Sequence, residues 1–199
     1  MKKLTSLLIL SIFLFTFAIV SSAATTDSDG GTGPGGDVKY KNTNVSVTPG
    51  DILVTKDFQI YNDFPGHSAI VVDSNTVVEI LGYGYTMQKS NLQSWLNDYP
   101  NAKVVRLNDS AKAAKAAKWA VWYYENYASK VKYSIDSKIA AYDTYTYCSK
   151  LVWDAYYFGG SISLPYADKV NIIIQPYDFV LNPSNSAVGL KTILTFGNW

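Results

Sequence analysis

The chain carries a single cysteine, Cys148, and a single histidine, His67. A thiolate that attacks a carbonyl carbon and an imidazole that moves the proton are the two parts of a thiol acyl-transfer site. Cys148 opens a run in which Leu151, Val152, Ala155 and Tyr156 repeat at helical spacing. It therefore falls in or beside the first turn of a helix, where unpaired backbone N–H groups favour the thiolate. His67 begins the apolar, β-branched run His67-Ser-Ala-Ile-Val-Val72, which predicts a strand. A catalytic imidazole needs a partner on its other ring nitrogen to fix tautomer and direction. Glu79, on the returning run Thr76-Val-Val-Glu-Ile-Leu81, is the candidate for that role.

Whether these groups can meet depends on how the two strands pair. A three-residue loop at Asp73-Ser74-Asn75 pairs Val72 with Thr76, sets His67 opposite Leu81 and leaves Glu79 as a diagonal neighbour of His67 on the same face. A two-residue turn at Ser74-Asn75 would send the two side chains to opposite faces. Each residue alone has an ordinary explanation: Cys148 as a small core hydrophobe, His67 as a turn residue, Glu79 as the exposed position of an edge strand. Their combination carries the catalytic reading. One His and one Cys far apart do not make up the ligand set of a zinc site, and no cofactor is expected.

The surrounding elements follow from local signals. Pro49-Gly50-Asp51 is turn chemistry before a short strand, Ile52 to Thr55, and Asp63-Phe64-Pro65-Gly66 is a second turn leading into His67. Gly82 and Gly84 break the pattern, Ser90 is expected to cap a short helix (NLQSWLNDY), and Lys103 to Leu107 reads as a strand. Asp109 or Ser110 caps a longer helix in which Lys112, Lys115 and Lys118 form a solvated face. Trp119, Trp122 and Tyr123 on the same helix read as core or interface residues. Tyr133 to Tyr147 has no clear period, Gly159-Gly160 ends the cysteine helix, and the tail holds strands at VNIII and LKTIL around a turn at Asn182-Pro183. Strands, then helices, then strands again predict an α+β domain with an antiparallel sheet.

At the N-terminus Lys2 and Lys3 precede an apolar run from Leu7 to Val20 and then Ser21, Ser22, Ala23 and Ala24, the pattern of a signal peptide over 1–24. A signal anchor is the competing reading. Residues 25–44, rich in Gly, Thr, Ser and Asp, read as a flexible linker, and 45–199 as one catalytic domain. The expected product is secreted or held at the cell surface, with no stable membrane span once the signal is removed. The formal charge of +1, without a basic run, argues against nucleic acid as a partner. A lone exported thiol cannot form an internal disulfide.

The Pro-Gly-Asp-Ile start, the Gly-His-Ser-Ala-Ile-Val-Val strand, the Val-Val-Glu-Ile return and the Tyr-Cys-Ser-Lys-Leu-Val-Trp helix opening resemble the YiiX/YebB-like permuted papain-fold proteins, circularly permuted relatives of NlpC-type cell-wall peptidases. The resemblance implies a permuted papain-like core in which His67 is the base, Glu79 the third residue and Cys148 the nucleophile. It implies a cysteine amidase or peptidase acting on a peptide or other amide-containing substrate, such as a peptidoglycan-derived one, through a thioester. Lipid acyl transfer or ester cleavage with the same triad, and an inactive cell-surface binding module, are the alternatives. The Cys148 backbone N–H is one expected oxyanion donor; Tyr145 and Tyr147 are nearby candidates for the second.

Overall fold

The computed structural model describes residues 38–60, 64–142, 144–164 and 173–199. The proposed signal peptide, most of the linker and most of the VNIII run lie outside these residues.

In chain order the strands are β1 (Ile52–Ile60), β2 (Phe64–Val71), β3 (Thr76–Glu79), β4 (Gln88–Asn91), β5 (Ala102–Leu107), β6 (Lys132–Tyr133), β7 (Tyr145–Thr146) and β8 (Leu190–Thr195). The helices are α1 (Leu92–Asp98), α2 (Ser110–Tyr127), α3 (Cys148–Asp154), which runs on into a π-helical turn at Ala155–Gly159, and α4 (Asp178–Leu181). Six strands form one antiparallel sheet in the order β4-β3-β2-β1-β5-β8, while β6 and β7 pair in parallel as a separate ribbon. The α+β class with an antiparallel sheet is the one expected.

Both faces of the sheet are covered, which is why its central strands are almost continuously apolar. One face presents Ile52, Val54, Ile70, Val78 and Val105 to α2 and α3, through Ala116, Ala120, Leu151 and Val152. The other presents Leu53, Ala69, Val71, Val77 and Val104 to Leu92, Trp95 and Leu96 of α1 and to Tyr40. The packed chain thus begins upstream of Val45: Lys39 bridges Ser46, and buried Tyr40 donates to Asp51 at 2.7 Å. Asp51 also receives Arg106 through Nε and a terminal nitrogen, each at 2.6 Å, so the Pro-Gly-Asp turn is tied to β5.

Several local expectations need correction. β2 starts at Phe64, so Phe64-Pro65-Gly66, read as part of a turn, is already strand, with Phe64 and Pro65 paired to β1, and the returning strand ends at Glu79 instead of Leu81. Ser90 lies on β4 instead of capping α1; Asn91 takes the cap, its side chain accepting the Ser94 N–H at 2.9 Å. β1 continues beyond Thr55 after a bulge between Thr55 and Gln59. Ile173 and Ile174, the described part of the VNIII run, belong to no strand.

Candidate active site

Gly66, Thr55 and the bulge of β1 set His67 in place. Thr55 pairs with His67, and immediately before it Gly66 has φ +84°, with the Thr55 carbonyl oxygen 2.6 Å from where a Cβ would sit. Only glycine enters the strand in that conformation and that close to β1. The hairpin that follows uses the three-residue loop: Val72 N–H donates to the Thr76 carbonyl at 2.9 Å, with Val71 opposite Val77 and Ile70 opposite Val78. His67 and Glu79 consequently share a face, and His67 Nε2 lies 2.7 Å from Glu79 Oε2.

Glu79 is a buried carboxylate held by four donors. Oε2 also accepts the Trp95 indole N–H at 2.9 Å, while Oε1 accepts the Gln88 amide at 3.1 Å and the Ser90 hydroxyl. Burial pushes its acidity towards the neutral acid, but His67, Ser90 and Gln88 overcome that and hold its pKa below the usual carboxylate value. Gln88 and Ser90 come from β4, opposite Glu79 and Val77 in the ladder, and Trp95 from α1. Sequence reasoning missed all three. The signal for Gln88 and Ser90 was the alternation on β4, which puts residues 88 and 90 on one face.

The His67 ring is enclosed by aromatic rings, with Phe58, Tyr99 and Trp95 centroids at 5.1, 5.7 and 6.2 Å. Its Nδ1 is buried without a hydrogen bond of regular geometry. The Cys148 thiol is the group that acts on the ring together with Glu79. Burial disfavours the imidazolium, yet Cys148 and Glu79 prevail and push the pKa of His67 up to about 9. For Cys148 burial opposes ionisation, and His67, the Ser68 backbone N–H and Ser149 outweigh it and lower the thiol pKa. Thiol and imidazole thus favour each other's charged forms, although no hydrogen bond joins them among the described residues; catalytic hydrogen bonds of this kind tighten when substrate binds.

Cys148 is the first residue of α3, preceded by Tyr147 in extended conformation with no side-chain cap. The positive end of the helix thus faces the sulfur. Two residues on, fully buried Lys150 pairs with Asp154 at 2.6 Å. Tyr145 is exposed, and the Tyr147 hydroxyl already accepts the Ile174 N–H at 3.0 Å. The Tyr133 hydroxyl, by contrast, is buried without a hydrogen-bond partner among the described residues, on β6 opposite Thr146, and burial first, then the nearby Cys148, push its pKa up. A cleft of about 320 Å³ reaches Glu79 and is lined also by Gln88, Ser90, Ser94, Trp95 and Tyr99.

Fold and site together define an α+β protein whose antiparallel sheet carries a buried imidazole bonded to a carboxylate and packs against a helix that starts at a cysteine. The chain belongs to the lipoprotein N-acylation protein LnsA-like family, whose sequence pattern matches residues 3–195. It is 31% identical over 146 residues to an uncharacterized 30.3 kDa protein of Bacillus thuringiensis, covering 68% of this chain and 53% of that one. The chain thus spans about half the length of that curated relative. Its fold is similar to the crystal structure of metalloprotein yiiX from Escherichia coli O157:H7, with TM-score 0.54 and 14% identity over 76% of this chain and 98% of the other. The family match and the fold likeness fit the YiiX-like family that the sequence motifs resemble. Among the described residues no group of three or more His, Cys, Asp and Glu side chains is arranged to hold a metal ion. The Glu79 oxygens, moreover, are occupied by donors from four side chains.

Proposed function

We propose that this chain is an exported thiol acyl-transfer enzyme of the permuted papain type, with Cys148 as nucleophile, His67 as proton carrier and Glu79 as the residue that orients and charges the imidazole. The observation that carries the reading is a buried imidazole bonded to a carboxylate held by four donors, together with a buried thiol at a helix start whose ionisation that imidazole favours. A buried carboxylate so fully satisfied keeps its charge, and that charge stabilises the imidazolium formed when the thiol gives up its proton.

In the first half-reaction the Cys148 thiolate attacks an acyl carbonyl carbon, the leaving group departs with the proton held by His67, and a thioester remains. In the second, His67 takes a proton from the acceptor, the acceptor attacks the thioester, and the thiolate is expelled. The carbonyl oxygen, negative in both tetrahedral states, is received by the Cys148 backbone N–H and by the Tyr133 hydroxyl, whose unfilled hydrogen-bonding capacity suits that role.

The family description, lipoprotein N-acylation, favours an amine as acceptor over the cell-wall amide first expected from the motifs; a lipid ester is the acyl donor of the acyl-transfer reading, and with water as acceptor the same thioester makes the enzyme a hydrolase. The test is intact-mass analysis after incubation with phospholipid and, separately, with peptidoglycan peptides. An acyl mass on the protein that Cys148→Ala abolishes, with the variant still folded by circular dichroism, is the expected result. Undiminished turnover by Cys148→Ala ends the proposal. Mass gain only from the peptides would move the reading to amide hydrolysis.

A further inference from the structure

Away from the thiol, α2 and the end of α3 build a surface that acyl transfer does not use. On α2, Lys115 and Trp119, like Lys118 and Trp122, are four residues apart, and Lys115 and Trp122 are seven apart, so lysines and indoles occupy adjoining rows of one side. The π-helical turn of α3 lies against this side at Gly159. A Cβ there would sit 2.6 Å from both the Lys115 carbonyl oxygen and the Trp119 Cβ. That close approach lays the Phe158 ring on Trp119, at 5.4 Å and 20°, with Tyr157 beside it at 5.0 Å.

The third edge is Tyr142, whose position is fixed from within. The fully buried Lys150–Asp154 pair reaches out to the backbone just before it: Asp154 accepts the Ala140 N–H at 2.8 Å, and Lys150 donates to the Ala141 carbonyl. Tyr142 then stands 5.0 Å from Phe158 and 5.7 Å from Trp122. The result is a connected aromatic patch in which Trp122, Tyr142 and Tyr157 are 40%, 39% and 38% exposed. Single exposed rings are common, whereas a connected group of them held rigidly marks a contact surface.

The chemistry of the rim decides what the surface meets. Lys115 and Lys118 are exposed and form no ion pair among the described residues, whereas Lys112 is within 3.8 Å of Asp109. A second copy of the chain would set lysine against lysine, and a neutral sugar would stack on the rings without need of the cations. Indoles and phenols, apolar in body and polar at the edge, suit the headgroup layer of a bilayer, and lysines beside them suit anionic lipid. We propose that this face docks on an anionic lipid bilayer, with Trp122, Tyr142 and Tyr157 in the headgroup layer and Lys115 and Lys118 over the lipid phosphates. No helix among the described residues is long and apolar enough to cross a membrane, so the contact is peripheral.

The test uses the full chain with phosphatidylglycerol vesicles whose acyl chains carry bromine, which quenches tryptophan fluorescence only at short range. Trp95 and Trp153 lie in the core, and every protein in the test carries Trp199→Phe, because Trp199 is partly accessible beside Tyr177 and Lys103, away from this face; quenching then reports on Trp119 and Trp122. The expected result is quenching in this parent that is mostly lost in Trp122→Phe, and lost again in the Lys115→Gln, Lys118→Gln double variant, where both tryptophans remain. Cys148→Ser keeps the parent's quenching, so this proposal and the catalytic reading fail separately. Unchanged quenching in both surface variants, equal quenching by phosphatidylcholine vesicles, or a dimer in sedimentation that Trp122→Ser dissolves would overturn it.

Discussion

Glu79→Gln isolates what the carboxylate does for the thiol, because the amide keeps the shape and removes the charge. In the native site Oε2 receives His67 and Trp95 and Oε1 receives Gln88 and Ser90. An amide offers one acceptor oxygen and one donor NH₂, so two of these four donors lose their acceptor in either orientation. The hydrogen bond to the imidazolium also loses its charge assistance, worth about 1.5–3 kcal/mol, or roughly 1–2 pKa units. His67, held at about 9 in part by Glu79, becomes less basic by that amount. The thiol, held low chiefly by His67, becomes correspondingly harder to ionise. At a pH where the thiolate is only partly formed, its fraction falls about 10- to 100-fold, and the alkylation rate falls with it because the thiolate is the reactive species. The assay is the second-order rate of iodoacetamide modification against pH, read by intact mass, with Cys148→Ala as blank and circular dichroism as the folding control. A folded Glu79→Gln that alkylates at the wild-type rate across the pH range would refute the reasoning.

Other outcomes follow from the same geometry. Turnover requires the imidazolium as acid and falls as pH rises through about 9, where His67 deprotonates; alkylation requires only the thiolate and does not fall there, so coincident descending limbs would count against the assignment. Tyr133→Phe lowers kcat for acyl transfer by about 100-fold while leaving iodoacetamide modification of Cys148 unchanged; equal losses in both would make Tyr133 a packing residue. Gly66→Ala forces a Cβ against the Thr55 carbonyl at positive φ. It destabilises the protein by about 1–3 kcal/mol in urea titration, and it slows alkylation in the remaining folded protein because His67 is displaced.

Much of the site was written in short stretches of sequence. The apolar spacing after Cys148 set it in or beside the first turn of a helix, and the strict alternation of strand side chains reduced the meeting of His67 and Glu79 to a question of loop length. The sequence left two loop lengths open, however, and the pairing Val72 with Thr76 was decided by packing: both faces of β2 and β3 are buried, so a one-residue slip would carry every side chain to the wrong layer. Contacts from later in the chain were less legible. Ser90 reads locally as a helix cap, yet β4 pairs with β3 and turns that hydroxyl onto Glu79, leaving Asn91 to cap α1. Likewise the parallel pairing of β6 with β7, which sets Tyr133 opposite Thr146, joins two-residue strands too short to leave a period. Local spacing specifies the direction in which a side chain leaves its own element. Which other element it meets is a long-range choice, made by the burial of whole faces, and only the tertiary structure records it.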